Sequence, residues 1–181
     1  MLTCQKKVIF SLVACLAWQM CTLAKEEENL RSWEKKVPES KEDLLSIQAK
    51  LQDTLKKAKQ AVVAVQSGGG AGSGVIVSKD GLVLTAGHVS GRPGRSLKIV
   101  LPDGRRVNAV TMGGSEISDS GMCKIQDKGD WPFAPMAKKG KSQIGDWCFA
   151  LGHPGGFIAK RGMVTRIGRI INKQYATLRT D

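Results

Sequence analysis

From Ala61 to Met112 the chain runs as short apolar segments cut by glycine- and aspartate-bearing turns, and this punctuation limits the fold more than any other feature. Ala61 to Val65 is a β-branched run, Gly74 to Val77 a second and Leu82 to Thr85 a third. Lys79-Asp80-Gly81 reads as the hairpin turn between the last two. After a loop at Gly91 to Arg95, Leu97 to Leu101 and Arg106 to Met112 pair around Pro102-Asp103-Gly104. Segments this short leave exposed edges unless the sheet closes on itself, so the pattern predicts a closed or nearly closed antiparallel barrel. The 21 glycines agree with turn-rich β structure. The glycine-rich stretch 68–72 reads as a flexible strand connector. It lacks both glycine-loop forms that cradle phosphates, and no helix follows it.

A different period precedes the barrel. Ser40, with Asp43 three residues on, resembles an N-cap. Leu44, Ile47, Leu51, Leu55, Ala58 and Val62 then recur at spacings of three and four, which predicts an amphipathic helix to about residue 60. Such a stripe packs on the following domain or on a second copy, so the 40–60 helix is also a candidate surface for homo-oligomer formation. Residues 25–37 are charged and without period apart from Trp33, and read as a tether or a loosely packed lead-in. The domain reading is therefore 1–24, then 25–60 as charged lead-in and helix, then 61–181.

Met1 to Ala24 has a basic start at Lys6 and Lys7, an apolar run from Val8 to Ala17, and small residues ahead of Lys25. That is the layout of a secretory signal, with Thr22-Leu23-Ala24 as the cleavage site. The apolar run is too short to span a bilayer, so no integral membrane span is expected. Leu12-Val13-Ala14-Cys15 also resembles a lipoprotein lipobox, but it comes early; the reading is a secreted or periplasmic protein, with a lipid anchor at Cys15 the minor option. Removal of the signal leaves Cys123 and Cys148, each inside an apolar run where cysteine serves as a small buried hydrophobe. With His88 and His153 they show no metal-ligand spacing, so neither metal nor cofactor is expected.

Formal net charge is +12, and the excess is uneven. Residues 25–66 carry nine basic and eight acidic groups, whereas 67–181 carry 17 against eight. That field favours acidic partners or anionic surfaces. Nucleic-acid binding would need basic residues interleaved with aromatics on a recognisable module, and no such pattern is present.

The third apolar run delivers a histidine. Leu82-Val83-Leu84-Thr85-Ala86-Gly87-His88-Val89 ends on a small-residue corner, which can hold an imidazole still at a cleft rim; a structural histidine in a strand-end turn is the plain alternative. Thr85 to Val89 resembles the histidine motif of trypsin-like serine proteases in the form found in the HtrA branch. Gly-Ser-Gly-Val at 72–75 and Lys79 to Thr85 stand in the same register. Ser118-Asp119-Ser120-Gly121-Met122-Cys123 places an aspartate at the opening of an apolar run, 31 residues after His88. The resemblance implies that Asp119 is a buried carboxylate that accepts the imidazole N–H, so that the other ring nitrogen can take a serine proton. Ile144-Gly145-Asp146-Trp147 and Gly152-His153-Pro154 resemble the start of the second barrel in that family, with His153 as a turn residue where asparagine is common. Gly162 to Arg166 and Ile167 to Ile171 are two further strand candidates, and Tyr175 to Asp181 resembles the strand leading to the nucleophile.

The likeness covers about residues 60–181 and implies a mainly β fold: a trypsin-like double β-barrel, the first barrel complete and the second partial, preceded by the amphipathic helix. It also implies a serine endopeptidase acting on protein or peptide substrates. The nucleophile motif Gly-x-Ser-Gly-Gly is not in the chain and would lie shortly beyond Asp181, so the polypeptide as it stands is expected to be inactive. Ser73, Ser90, Ser115, Ser118 and Ser120 offer no nucleophile elbow. A non-catalytic pseudoprotease or peptide-binding module on the same barrel is the competing reading.

Overall fold

The computed structural model describes residues 31–68, 70–153, 163–174 and 177–180. The expectations for the signal segment and for Pro154 to Gly156 lie outside the described residues. The chain forms two compact units that divide between Gln48 and Ala49, inside helix α1 (Lys41–Ala58).

The N-terminal end of α1 forms as its sequence predicts. The Ser40 hydroxyl accepts the Asp43 N–H at 3.1 Å, and the Asp43 carboxylate in turn accepts the Glu39 N–H at 3.1 Å. Residues 31–39 are not the loose tether the charge pattern suggests, because Lys35 bridges Glu39 and Asp43 at 2.9 and 3.0 Å. The Ser32 hydroxyl, the Glu39 N–H and Lys35 together hold the Asp43 carboxyl down to about 2. One consequence is a shift of the stripe. Ile47 is buried and Leu51, Leu55 and Ala58 are half-buried, but Leu44 is exposed while its neighbour Asp43 is buried. The ion-paired lead-in claims the position that periodicity alone assigns to leucine. Among the described residues no helix is long and apolar enough to cross a membrane.

Six strands then close a barrel: β1 (Val62–Ser67), β2 (Gly70–Ile76), β3 (Leu82–Thr85), β4 (Ser96–Val100), β5 (Arg106–Ser115) and β6 (Ser120–Ile125), in the order β1-β2-β3-β6-β5-β4. All pairs are antiparallel. Alternation places Val63, Val65, Ile76, Val83, Ile99 and Cys123 in a fully buried interior. The Asp-Gly turns behave as read: Gly81 at φ 85 and Gly104 at φ 88 occupy left-handed conformations that glycine adopts without steric cost. Gly81 has a second reason to lack a side chain, since a Cβ there would lie 2.9 Å from Trp131, which packs into the core.

Only part of the glycine-rich stretch connects strands: Gly68 lies in the turn after β1, whereas Gly70 to Gly72 are already strand. Gly70 to Ser73 belong to β2 and pair with Val65 to Ser67 and Ala64. The reason is steric: a Cβ at Gly74 would fall 2.8 Å from Val83 and 2.9 Å from Val65, and one at Gly72 would fall 2.6 Å from Val89. These glycines give way to large neighbours inside the barrel and on its rim.

Strands β7 (Trp147–Gly152), β8 (Val164–Gln174) and β9 (Thr177–Thr180) form a separate antiparallel sheet. The two strand candidates around Arg166 and Ile171 are one strand. Val164 to Arg169 pairs with β7, and Ile170 and Asn172 to Gln174 pair with β9, with a register shift between Ile170 and Asn172. Cys123 and Cys148 are both thiols. Burial pushes the Cys123 thiol up, as suits an inert core side chain.

Candidate active site

β3 ends at Thr85, whose hydroxyl donates to the Ser73 carbonyl at 2.8 Å. The chain then makes a single helical turn, α2 (Gly87–Ser90), with Ala86 as its N-cap residue. His88 rides on this turn at the barrel rim. Asp119 stands one residue before β6 with φ 45, a left-handed conformation to which aspartate is one of the better-suited residues. That backbone bend brings its carboxylate to the histidine. The imidazole Nδ1 lies 2.8 Å from Oδ1 and 3.0 Å from Oδ2, and the His88 backbone N–H donates to Oδ1 at 3.1 Å. Two residues 31 positions apart are thus joined three times over.

The sequence reading expects a sunken carboxylate. Here the Asp119 side chain is 56% exposed and His88 73% exposed. Asp119 lies at the tip side of the β5–β6 turn rather than within the strand, and the strand below it carries the core. The carboxyl is nevertheless held below its usual range, first by the His88 backbone N–H and then by the imidazole. The sign of the linkage follows. A carboxylate depressed in the folded state contributes stability above its unfolded value near 3.8, and that contribution disappears as pH falls through the lower folded value. Asp119→Asn is therefore expected to flatten the acid limb of a thermal-melt series as pH falls through and below the ordinary carboxylate range. Identical acid limbs in the two proteins would contradict the bond.

Packing under α2 explains how the two residues meet. A Cβ on Gly87 would lie 2.8 Å from the Ser115 carbonyl, one on Gly114 would lie 3.0 Å from the Gly87 Cα, and one on Gly121 would lie 2.5 Å from the Ser90 Cβ. Backbone therefore rests on backbone where α2 crosses β5 and β6. Ser90 locks the crossing. It is fully buried, and its hydroxyl is shared between the Gly113 carbonyl at 3.0 Å and the Met122 carbonyl at 3.1 Å, one on each arm of the hairpin that bears Asp119. A bulge in β5 between Thr111 and Gly113, with Gly113 at φ 99, turns the first of those carbonyls into reach. None of this is visible as a motif. The only sequence trace is a run of small residues at 113–115 and 120–121, which spacing alone does not connect to His88.

His88 and Asp119 open on a cleft of about 870 Å³, lined also by Arg92, Pro93, Met112 and Glu116. The serines considered from sequence do not enter it as partners of His88. Ser90 is buried, Ser73 accepts the His153 N–H at 2.7 Å, and Ser118 and Ser120 bond to each other at 2.8 Å. Among the described residues no serine hydroxyl is hydrogen-bonded to His88. His153 ends β7 as a buried residue whose ring is held below its usual basicity by desolvation. Among the described residues no group of three or more His, Cys, Asp or Glu side chains is gathered to hold a metal ion.

Comparison with known proteins agrees with this architecture. Residues 72–180 match the trypsin-like peptidase domain family over more than half of the chain. The chain is 35% identical over 103 residues to "Periplasmic pH-dependent serine endoprotease DegQ" of Escherichia coli, covering 55% of this chain and 22% of that one. It is 37% identical over 114 residues to "Probable periplasmic serine endoprotease DegP-like" of Pseudomonas fluorescens, covering 61% and 24%. A protein of the same description from Bartonella henselae is 33% identical over 102 residues, covering 55% and 20%. The chain thus spans about a quarter or less of the length of these relatives.

Proposed function

The chain belongs to the trypsin-like peptidase domain family and is related to the DegP and HtrA serine endoproteases, and on that premise we propose that it is a serine endopeptidase with His88 as general base and Asp119 as its orienting carboxylate. The observation that carries this reading is the 2.8 Å contact of the His88 Nδ1 with Asp119. A carboxylate accepts only, so it selects the tautomer with the proton on Nδ1 and leaves Nε2 as an acceptor. Nε2 then takes the proton of a serine hydroxyl as the oxygen adds to the scissile carbonyl, and returns it to the departing amine. Water attacks the acyl-enzyme by the same relay, releasing the acid and regenerating the serine.

In this reading the serine sits in a Gly-x-Ser-Gly-Gly segment, a motif that residues 1–181 do not contain. Residues 1–181 alone are then inactive, because His88 has no hydroxyl to deprotonate. The signal-like layout of Met1 to Ala24 and the periplasmic names of the relatives support action outside the cytoplasm on protein substrates.

The test is covalent capture. The full-length gene product, incubated with a fluorophosphonate probe, should be labelled at one serine and should digest casein, whereas residues 1–181 should do neither. A full-length product that folds but takes no label would overturn the assignment in favour of a peptide-binding module.

A further inference from the structure

The loop between α2 and β4 is fixed more firmly than its exposure suggests. Buried Thr111 on β5 makes four hydrogen bonds to it. Its N–H donates to the Arg95 carbonyl at 2.9 Å and its carbonyl accepts the Gly94 N–H at 2.8 Å. Its hydroxyl donates to the Arg92 carbonyl at 2.6 Å and accepts the Arg95 N–H at 2.9 Å. Pro93 packs on Gly113, where a Cβ would lie 3.0 Å from its ring. A loop held this way presents its side chains from a preset backbone.

Those side chains are two arginines. Arg92 lines the cleft that holds His88 and Asp119. Arg95 lies against Gly91, another residue of the cleft wall: a Cβ there would fall 2.6 Å from the Arg95 Nη1, so the glycine at φ 64 makes room for the guanidinium. Neither guanidinium has an ion-pair partner among the described residues. Three other cations of the barrel are ion-paired, Arg105 with Asp103, Lys124 with Asp80 and Lys79 with Asp130, whereas Lys98 and Arg106 form no ion pair among the described residues. Of the carboxylates lining the cleft, Asp119 is occupied by His88, which leaves Glu116 with Arg92 on the lining and with Arg95 against the lining residue Gly91. The wider field has the same sign, with 17 basic against eight acidic residues in 67–181.

We propose that Arg92 and Arg95 form a carboxylate-binding subsite beside His88, which selects polypeptide segments carrying an acidic side chain close to the bond presented to the histidine. Guanidinium forks suit this task, because they can take a carboxylate through two parallel N–H bonds. Glu116 limits the selection, since it repels the same ligand. The proposal deepens the peptidase reading and rests on it for the place where the substrate lies, but its test needs no hydrolysis.

The experiment measures binding of three fluorescent peptides of one length, with an aspartate, an alanine or a lysine at the variable position, to the 1–181 chain. The expected order is acidic, then neutral, then basic, with the preference shrinking as salt rises from about 50 to about 300 mM. Arg92→Gln with Arg95→Gln should weaken the acidic peptide about five- to tenfold and leave the neutral one unchanged. Glu116→Gln should tighten the acidic peptide about two- to threefold. Only two histidines are present, so the His88 ring resonance can be followed by NMR and should move when the acidic peptide is added. Equal binding of the three peptides, or a double variant that binds like the parent, overturns the proposal. Capture of anionic vesicles or single-stranded DNA through the same arginines, with the His88 resonance unmoved by peptide, overturns it too. A chain that passes this test while the full-length product resists the fluorophosphonate would keep the subsite and lose the peptidase.

Discussion

On the peptidase reading proposed above, Asp119→Asn in the full-length gene product should lower kcat about 10⁴-fold and leave KM for a peptide substrate little changed, the loss that follows when the triad carboxylate of a serine protease becomes an amide. The local geometry gives the reason. Oδ1 accepts the His88 backbone N–H at 3.1 Å and lies 2.8 Å from the imidazole Nδ1, and Oδ2 lies 3.0 Å from the same nitrogen. An asparagine keeps its oxygen on the backbone N–H, which forces its NH₂ group towards Nδ1. The imidazole then faces a donor beside the remaining oxygen, so nothing that can only accept holds its proton on Nδ1, and a ring that carries the proton on Nε2 cannot accept from serine. A factor of 10⁴ corresponds to about 5 kcal/mol of transition-state stabilisation. The fold should survive, because the substituted side chain is exposed and nearly isosteric. Steady-state kinetics on the purified variant decide the matter: activity within about tenfold of the parent would remove Asp119 from the mechanism.

The second large effect comes from a residue that touches no substrate. Gly121→Ala places a methyl carbon 2.5 Å from the Ser90 Cβ and 2.9 Å from the Ala86 carbonyl, against ordinary carbon contacts of about 3.5 Å or more. Both neighbours are held, Ser90 by burial and its two carbonyl partners, Ala86 by the helical turn it starts. The turn bearing His88 must therefore move away from β6 by about 1 Å. Overpacking of this kind costs about 1–3 kcal/mol of stability. A shift of about 1 Å between His88 and Asp119 should cost about 100-fold in kcat. Gly70→Ala is the control, since nothing lies within 4 Å of a Cβ there. Thermal melts and kcat should separate the two variants, and a Gly121→Ala enzyme as active as the Gly70→Ala one would show that the crossing does not set the pair.

Much of the barrel was legible in advance. Alternation along β4, β5 and β6 reads directly as buried and exposed faces, because a strand's period of two is a local property. Asp80-Gly81 and Asp103-Gly104 announce their turns through the conformations only glycine takes cheaply. The corner carrying His88 and the aspartate opening β6 could also be read, since each has a short signal and the family resemblance joins them. Leu44 and the glycine-rich run were misread for one reason. Periodicity and composition describe a residue without its neighbour, and at Asp43 and Gly72 the neighbour decides: Lys35 in one case, Val89 in the other. The arginine pair beside His88 had no signal beyond net charge, because its position depends on Thr111, more than a dozen residues away.

By itself the sequence determined the strands and their turns, which follow from interactions between residues close in the chain, and the family resemblance pointed to the closed barrel and to the two side chains at its rim. Tertiary structure alone decided that those side chains meet, that Ser90 pins the turn beneath them and that Arg92 lines the same cleft. Such contacts depend on how closely two backbones can approach, and that distance is set by what stands opposite each glycine across the fold.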